Sequence, residues 1–520
     1  MSIFRFLCVI LLLAAPAIAR AEWHEASSDH FLVYSDDKPD KIREFATQLE
    51  RFDKTLRFLR NISSEPIGKA NRVIVYMVTD IAAIQKLYGG YSVAGFYSPR
   101  AGESSAFVPR DTGIDSTPPE YREMMLTPQQ ILLHEYTHHF LLSLSTEIAY
   151  PGWFVEGYAE FFASSKFEPD GSVVIGLPPQ YRGWDLSGEN RLTSKRMLSG
   201  DPTTLTGEQR YLTYARGWLL THYLLLGGAR DGQLGGYFRA LNEGKSPADA
   251  ALVFGDLAKL DTELWKYRRT TFPATRVAAA VLPIGEVTIR KLGAGEAATM
   301  PARLRSTAGV NEKQAPGVYA AAKKACDPYP NDPAAQRVLA EAAFDAKDYA
   351  GAEAAADRAI AADPKAVGAL LYKARARIEL AKQAKDMTPA TWTAIRRLIS
   401  AANRIDTENP QPLMLYYQSF VAAGQAPPKA ARDGLYYAYM LAPQDRGLRF
   451  NAAEAYLREG NPAKARPLLQ TLAIDPHGGG PKSLAARMVA AIDAGHPEQA
   501  IAELEKPPET DKKDDKKARK

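Results

Sequence analysis

The chain has 520 residues, of which 46% are hydrophobic and 24% charged, with a formal net charge of +5. That length predicts two or three domains with full cores, and the composition is that of an ordinary soluble protein. So small a positive surplus, with no basic patch interleaved with aromatics, argues against nucleic acid as a partner.

Residues 1–21 read as a signal peptide. One early charge, Arg5, precedes an apolar run from Phe6 to Ala15, and Ala19-Arg20-Ala21 suits a signal peptidase. The run is short for a membrane span, so cleavage is expected rather than retention as an anchor. Cleavage removes Arg5 and Arg20, taking the net charge from +5 to +3. It also removes Cys8 and leaves Cys326 alone, which rules out an internal disulfide. Export without disulfides fits a bacterial periplasm or cell surface.

Residues 22–275 are expected to form an α+β domain. "HFLVYS" is a strand by its aromatic and β-branched content. "DKIREFATQLERFDKTLRFL" is an amphipathic helix with Ile42, Phe45, Leu49, Phe52, Leu56 and Leu59 on one stripe. "RVIVYMV" reads as a buried strand, "IAAIQKLYG" as a short helix, and "AGFYSPRAGESSAFVPR" as a hairpin with "SSAFVP" as a sheet edge. Thr127, Pro128 and Gln130 form a capping box that opens a helix running to about Leu144. Further helices are expected at "PGWFVEGYAEFF", "LTYARGWLLTHYLLL" and "DTELWKYRRTTF".

Residues 276–315 read as a linker or small β element. Residues 316–506 are alanine-rich and helical, with turns at Pro333, Pro364, Pro410, Pro443 and Pro476 spaced 31, 46, 33 and 33 apart. Such periods predict stacked helix pairs of the tetratricopeptide (TPR) kind, with an insertion around Met387 to Thr393 in the long interval. "LAEAAFDAKDYAGAEAAADRAIAADP" carries the repeat's small residues and proline at the expected offsets. A generic helical bundle is the alternative. Residues 507–520 are a charge run expected to be disordered.

The chemistry concentrates in "LLHEYTHHF". His134 and His138 lie four residues apart, on one helix face, where both imidazoles reach a single ion. Glu135 stands between them, placed to take a proton from water. This H-E-x-x-H pattern is that of zinc metalloproteases. His139 points about 100° from His138 and reads as packing or as support for a ligand. A third ligand is needed, and Glu156 is the candidate. Glu160, one turn on, is placed to accept the other ring N–H of His134 or His138. Trp153, Phe154, Tyr158, Phe161 and Phe162 make this segment apolar, and buried carboxylates there need partners.

H-E-x-x-H followed by P-x-W-x-x-E-G-x-A-E resembles the gluzincin metallopeptidases, especially the peptidase MA-like group of bacterial exported proteins. The specific motifs span Leu132 to Phe162. The resemblance implies a zincin-like fold for residues 22–275, Zn2+ held by His134, His138 and Glu156, Glu135 as base, and Glu160 behind a histidine. Related aminopeptidases use a later helix tyrosine on the oxyanion. "YARGW" offers Tyr214 for that role, with Tyr211 and His222 as rivals. Their G-x-M-E-N signature is absent, which argues against aminopeptidase activity.

The expected function is therefore zinc-dependent hydrolysis of peptide bonds by an exported enzyme. Its TPR-like repeats would bind substrate or protein partners on a concave face. A cell-envelope scaffold with an inactive protease-like domain is the alternative, and hydrolysis of a non-peptide amide would use the same residues.

Overall fold

The computed structural model describes residues 22–505 apart from 92, 145–147, 188–191, 199–203, 476–479 and 481. The expected signal peptide, the charged tail and Pro476 lie outside the described residues.

The N-terminal part opens with β1 (His24–Ser27), β2 (Phe31–Ser35), α1 (Pro39–Arg60), β3 (Val73–Asp80), α2 (Ile81–Tyr88), β4 (Phe96–Ser98) and β5 (Ser105–Asp111). α3 (Pro128–Leu144), α4 (Gly152–Ala163), β6 (Lys166–Phe167) and β7 (Val173–Ile175) follow. Next come α5 (Gly183–Ser187), α6 (Ser194–Leu198), α7 (Gly207–Leu226), α8 (Gln233–Asn242), α9 (Pro247–Ala250), α10 (Leu257–Tyr267), β8 (Thr275–Val277) and β9 (Thr288–Lys291).

The main sheet has the order β4-β5-β3-β2-β1-β9. β3 is parallel to both β2 and β5, and the other pairs are antiparallel. β3 shows why the sheet is covered on both faces. Val73, Val75 and Met77 enter one core with α1 and α3, while Ile74, Tyr76 and Val78 enter another with Tyr34 and Phe107. A strand buried on both faces reads as an unbroken apolar run, as "VIVYMV" does. β6, β7 and β8 form a separate small sheet.

One expectation for this part is corrected and one is narrowed. "SSAFVP" is not a sheet edge: β5 lies between β4 and β3, and the three-residue β4 is the edge. The hairpin folds its first arm outward, which the sequence pattern does not indicate. Residues 276–315 hold the small β element that was the alternative to a linker, and a helix besides. β9 extends the main sheet beside β1, and α11 (Ala294–Ala308) lays Met300 and Leu304 on its second face. Glycine and proline punctuation concealed this helix, which carries Pro301 internally.

The helical array continues with α12 (Ala315–Cys326), α13 (Pro333–Asp345), α14 (Tyr349–Ala362), α15 (Val367–Ala384), α16 (Pro389–Ile405), α17 (Pro410–Ala422) and α18 (Lys429–Leu441). α19 (Arg446–Arg458), α20 (Pro462–Ala473), α21 (Leu484–Asp493) and α22 (Pro497–Glu505) complete it. Consecutive helices pack on one another, with alanines at the contacts. Ala340, Ala342, Ala355 and Ala356 are fully buried between α13 and α14, and side chains this small let the axes approach closely. Asp332 and Asn409 cap helices whose first residue is proline, so the Asp-Pro and Asn-Pro pairs there act as helix starts. The 46-residue interval holds no separate insertion. α15 and α16, at 18 and 17 residues, are together 8 longer than α13 and α14, at 13 and 14, and Pro364 stands three residues before its helix whereas Pro333 and Pro410 open theirs. No helix among the described residues is long and apolar enough to cross a membrane.

The array docks on the sheet through the β4–β5 loop. Ala101 donates its N–H to Asp445 Oδ2 (2.6 Å), and Gln444 reaches Arg100 O and Ser104 Oγ (each 3.3 Å). Ala101 is itself part of the core formed by α17–α22.

A buried ion pair ties α1 to the start of β2. His30 Nδ1 lies 2.9 Å from Glu50 Oε2, and the His30 backbone N–H donates to Glu50 Oε1 (2.8 Å). Burial disfavours both charges, yet their mutual contact raises the His30 pKa above its ordinary 6.5 and lowers that of Glu50 below its ordinary 4.5. The Glu50 contribution is complete above pH 4.5 and is lost as pH falls through its lowered value; the His30 contribution is complete below pH 6.5 and is lost as pH rises through its raised value. The Tm gap between wild type and Glu50→Gln is therefore expected to peak between pH 4.5 and 6.5. Melts from about pH 3 to 9 check this, and a constant gap would refute it.

Candidate metal centre

α3 starts where its capping box dictates. Gln130 N–H donates to Thr127 Oγ1 (3.1 Å), and Thr127 N–H to Gln130 Oε1 (2.9 Å). The helix is held from behind on two flanks. Tyr136 donates a short hydrogen bond to Asp53 on α1, and His139 Nδ1 meets Tyr97 OH on β4 at 2.6 Å. His139 is buried, which pushes its pKa down to about 3 and keeps it neutral. With these flanks fixed, His134 and His138 face the other way, toward α4.

α4 is brought there by a close crossing with α7. Gly157 and Gly217 meet backbone to backbone, and a Cβ on either would collide with main-chain atoms of the other helix. That contact puts Glu156 and Glu160 of α4, and Tyr214 of α7, around α3. Gly157→Ala is expected to lower stability by about 1–3 kcal/mol through overpacking, measured by denaturant melts. A stability unchanged within error would show that the helices can separate freely.

The donor atoms converge. His134 Nε2 and His138 Nε2 are 3.1 Å apart, and Glu156 Oε2 lies 3.3 Å from the first and 3.6 Å from the second. A tetrahedral zinc with bonds of about 2.0–2.2 Å separates its ligand atoms by about 3.3 Å, so this triangle fits such an ion. The electrostatics agree. Burial disfavours a charged His134, but the contact with Glu156 and the charges of Glu160, Glu156 and Glu135 push its pKa up to about 9. Glu156 is held well below the carboxylate range, against its burial, by His138 and His134. The cleft thus favours a cation among its donors.

Glu160 sits one turn behind. Its Oε1 is 3.6 Å from His134 Nδ1, longer than a hydrogen bond. Its nearer partners are Tyr181 OH (2.7 Å) and Arg182 (2.8 and 3.2 Å). Arg182 lies 4.9 Å over the Tyr214 ring and 5.1 Å over that of Tyr211. These two partners, in "PPQYRGW", escaped the sequence reading. The signal was indirect: a buried carboxylate demands a cation, but not one at any fixed spacing.

The tyrosine rivals are separated by position. The Tyr214 ring stacks against His134 at 5.9 Å, and the neighbouring carboxylates, Glu156 first, together with burial raise its pKa. Tyr211 is exposed. His222 is fully buried and engaged by Tyr267 OH and by the carbonyls of Gly176 and Pro273, so it is packing. Glu135 is half-buried on α3 and acts electrostatically on both His134 and Tyr214.

A second group, His30, Glu50 and Asp53, also has converging donors. There Arg57 Nε already sits 2.6 Å from Asp53 Oδ2, and a guanidinium so placed opposes a dication.

No protein-family model matches the chain, and no curated protein matches it. Solved structures similar to it include TTC0263, a thermophilic TPR protein of Thermus thermophilus (18% identity, 40% of this chain and 94% of that one, TM-score 0.29). MamA is another (15% identity, 31% of this chain and 89% of that one, TM-score 0.26). Scores this low carry no fold assignment by themselves, and the repeat architecture rests on the helix pairs described above.

Proposed function

We propose that this chain is an exported zinc-dependent hydrolase of peptide bonds, of the gluzincin kind, carrying TPR-like repeats as a binding unit for protein substrates or partners. The observation that carries the reading is the triangle of His134, His138 and Glu156 donors, with edges of 3.1–3.6 Å, beside the carboxylate of Glu135. His134, His138 and Glu156 would hold the ion. When bound, zinc supplies Lewis acidity and lowers the pKa of a coordinated water toward ~7. Glu135 takes the proton from the attacking water and delivers it to the leaving amine. The Tyr214 hydroxyl donates to the developing oxyanion, a contribution typically of about 3–4 kcal/mol. Glu160, fixed by Arg182 and Tyr181, limits the movement of His134. An extended substrate would add at β4, the sheet edge beside α3.

The test is elemental analysis of the purified protein with a peptide-hydrolysis screen before and after chelation. About one zinc per chain, and activity lost on chelation and restored by zinc, are the expected results.

A second reading is a cell-envelope binding or assembly scaffold whose hydrolase-like part is inactive. It is favoured by the helical array α12–α22, whose stacked helix pairs are an architecture suited to binding other proteins. A chain that takes up no zinc and cleaves nothing, yet binds a protein partner through the array, would establish it.

A further inference from the structure

The seam between the sheet and the helical array holds a cavity of about 430 Å³. That is the size of a small-molecule site. Its lining is highly charged. Six basic side chains, Lys69, Arg72, Arg100, Arg303, Arg337 and Arg375, face four acidic ones, Glu103, Glu341, Asp406 and Asp445, leaving two positive charges in surplus.

The acids are unevenly committed. Glu341 pairs with Arg337 at 3.3 Å. Asp445 accepts from the backbone N–H groups of Ala101 and Leu448. The arginines are mostly left with neutral partners. Arg72 meets Ser27 Oγ and Ser28 O, Arg100 meets Thr307 O at 2.6 Å, and Arg375 meets Gln411 Oε1 at 3.0 Å. Arg303 lies 4.5 Å over the Tyr34 ring, its nearest ion-pair partner is Glu296 at 3.9 Å, and its Nε is buried without a hydrogen-bond partner. Guanidinium groups are forks built to receive carboxylate or phosphate in pairs of hydrogen bonds.

Glu103 stands among them. It is the tip residue of the β4–β5 loop and lines the cavity, and its φ of +56° is one that a residue other than glycine rarely adopts. Glu103 is solvent-exposed, and the charges of Arg337, Arg303, Arg100 and Arg375 together hold its carboxyl below the ordinary range. One carboxylate answers several arginines whose other contacts are mostly neutral.

We infer that this cavity is a binding site for a small multivalent anion, a polycarboxylate or a phosphate compound, and that the Glu103 carboxylate is its internal competitor. The arginines come from both sides of the seam. Arg72 stands just before β3 and Arg100 in the β4–β5 loop, Arg303 on the sheet-covering helix α11, and Arg337 and Arg375 on α13 and α15 of the array. A bound anion would therefore bridge the two and tighten their docking.

The experiment is isothermal titration of the full chain with tricarballylate in one arm and inorganic phosphate in the other, at constant ionic strength against chloride. The two arms separate carboxylate from phosphate preference, and repetition on a His138→Ala chain excludes binding at the histidine site. Saturable binding with Kd of about 1 mM or tighter is expected for at least one anion. Arg303→Met and Arg375→Met should each weaken it by about 10-fold or more, the loss of a charge-assisted contact. Glu103→Gln should tighten it by about 10-fold, because the competing charge is removed. Binding seen only in Glu103→Gln also supports the site, with Glu103 as its full occupant. No binding above the chloride control in either wild type or Glu103→Gln overturns the inference. Binding that is insensitive to both arginine substitutions, or unchanged by Glu103→Gln, overturns it as well. The glutamine variant alters one loop side chain and keeps the test decisive should an arginine variant fail to fold.

Discussion

Glu135→Gln is expected to reduce peptide hydrolysis by about 10²–10⁴-fold while leaving zinc bound. Glutamine has nearly the shape of glutamate and can still hold a water by hydrogen bonding, but it cannot accept the proton. Glu135 is not part of the donor triangle: the converging atoms belong to His134, His138 and Glu156. It lies on the neighbouring face of α3, half-buried, near enough to His134 and Tyr214 to act on their charges. Single-turnover rates and metal content measured on the same preparation check both halves of the expectation. Full activity in Glu135→Gln would sink the general-base role. Loss of zinc together with activity would mean that Glu135 is a ligand, and that the triangle has been misassigned.

Glu156→Gln and His138→Ala are each expected to lower zinc affinity by more than about 100-fold, beyond the 10–100-fold typical of losing a residue behind a ligand. The Glu156 carboxylate supplies the only negative charge among the three converging donors. Its amide counterpart keeps the volume and discards that charge. The metal-free chain gives an independent readout. His134 is expected to titrate at about 9, because Glu156 and Glu160 outweigh its burial, and to fall in Glu156→Gln. Histidine NMR titration and competition with a chromophoric chelator measure the two effects separately. An unchanged zinc affinity in Glu156→Gln would point to Glu160 as the third donor, since it lies one turn away on the same helix.

That choice between Glu156 and Glu160 marks a boundary between local and tertiary information. A helix of known register puts both carboxylates on one face. It does not say which will meet the histidines. The Gly157–Gly217 crossing does so, by setting how far α4 slides and rotates against α7; Glu156 then faces both imidazoles and Glu160 faces Tyr181 and Arg182. The glycines were visible in "VEGYAE" and "ARGW", but their mutual contact across the intervening chain was not.

What the sequence by itself determined was local. The capping box, the spacing of His134 and His138, the apolar run of β3 and the proline-marked helix starts are all set within a few residues, by hydrogen-bonding geometry and by the 3.6- and 2-residue periods of helix and strand. Only the tertiary structure decided the rest. It made β4 rather than β5 the sheet edge, drew residues 288–308 into the sheet and its covering helix, and set Tyr214 against His134 while packing His222 away in the core. It also gathered five arginines from five separate segments around one cavity. Periodicity states which side of a segment is buried. The identity of the segment that buries it depends on packing between distant parts of the chain, and many pairings satisfy the same pattern until shape and charge select one.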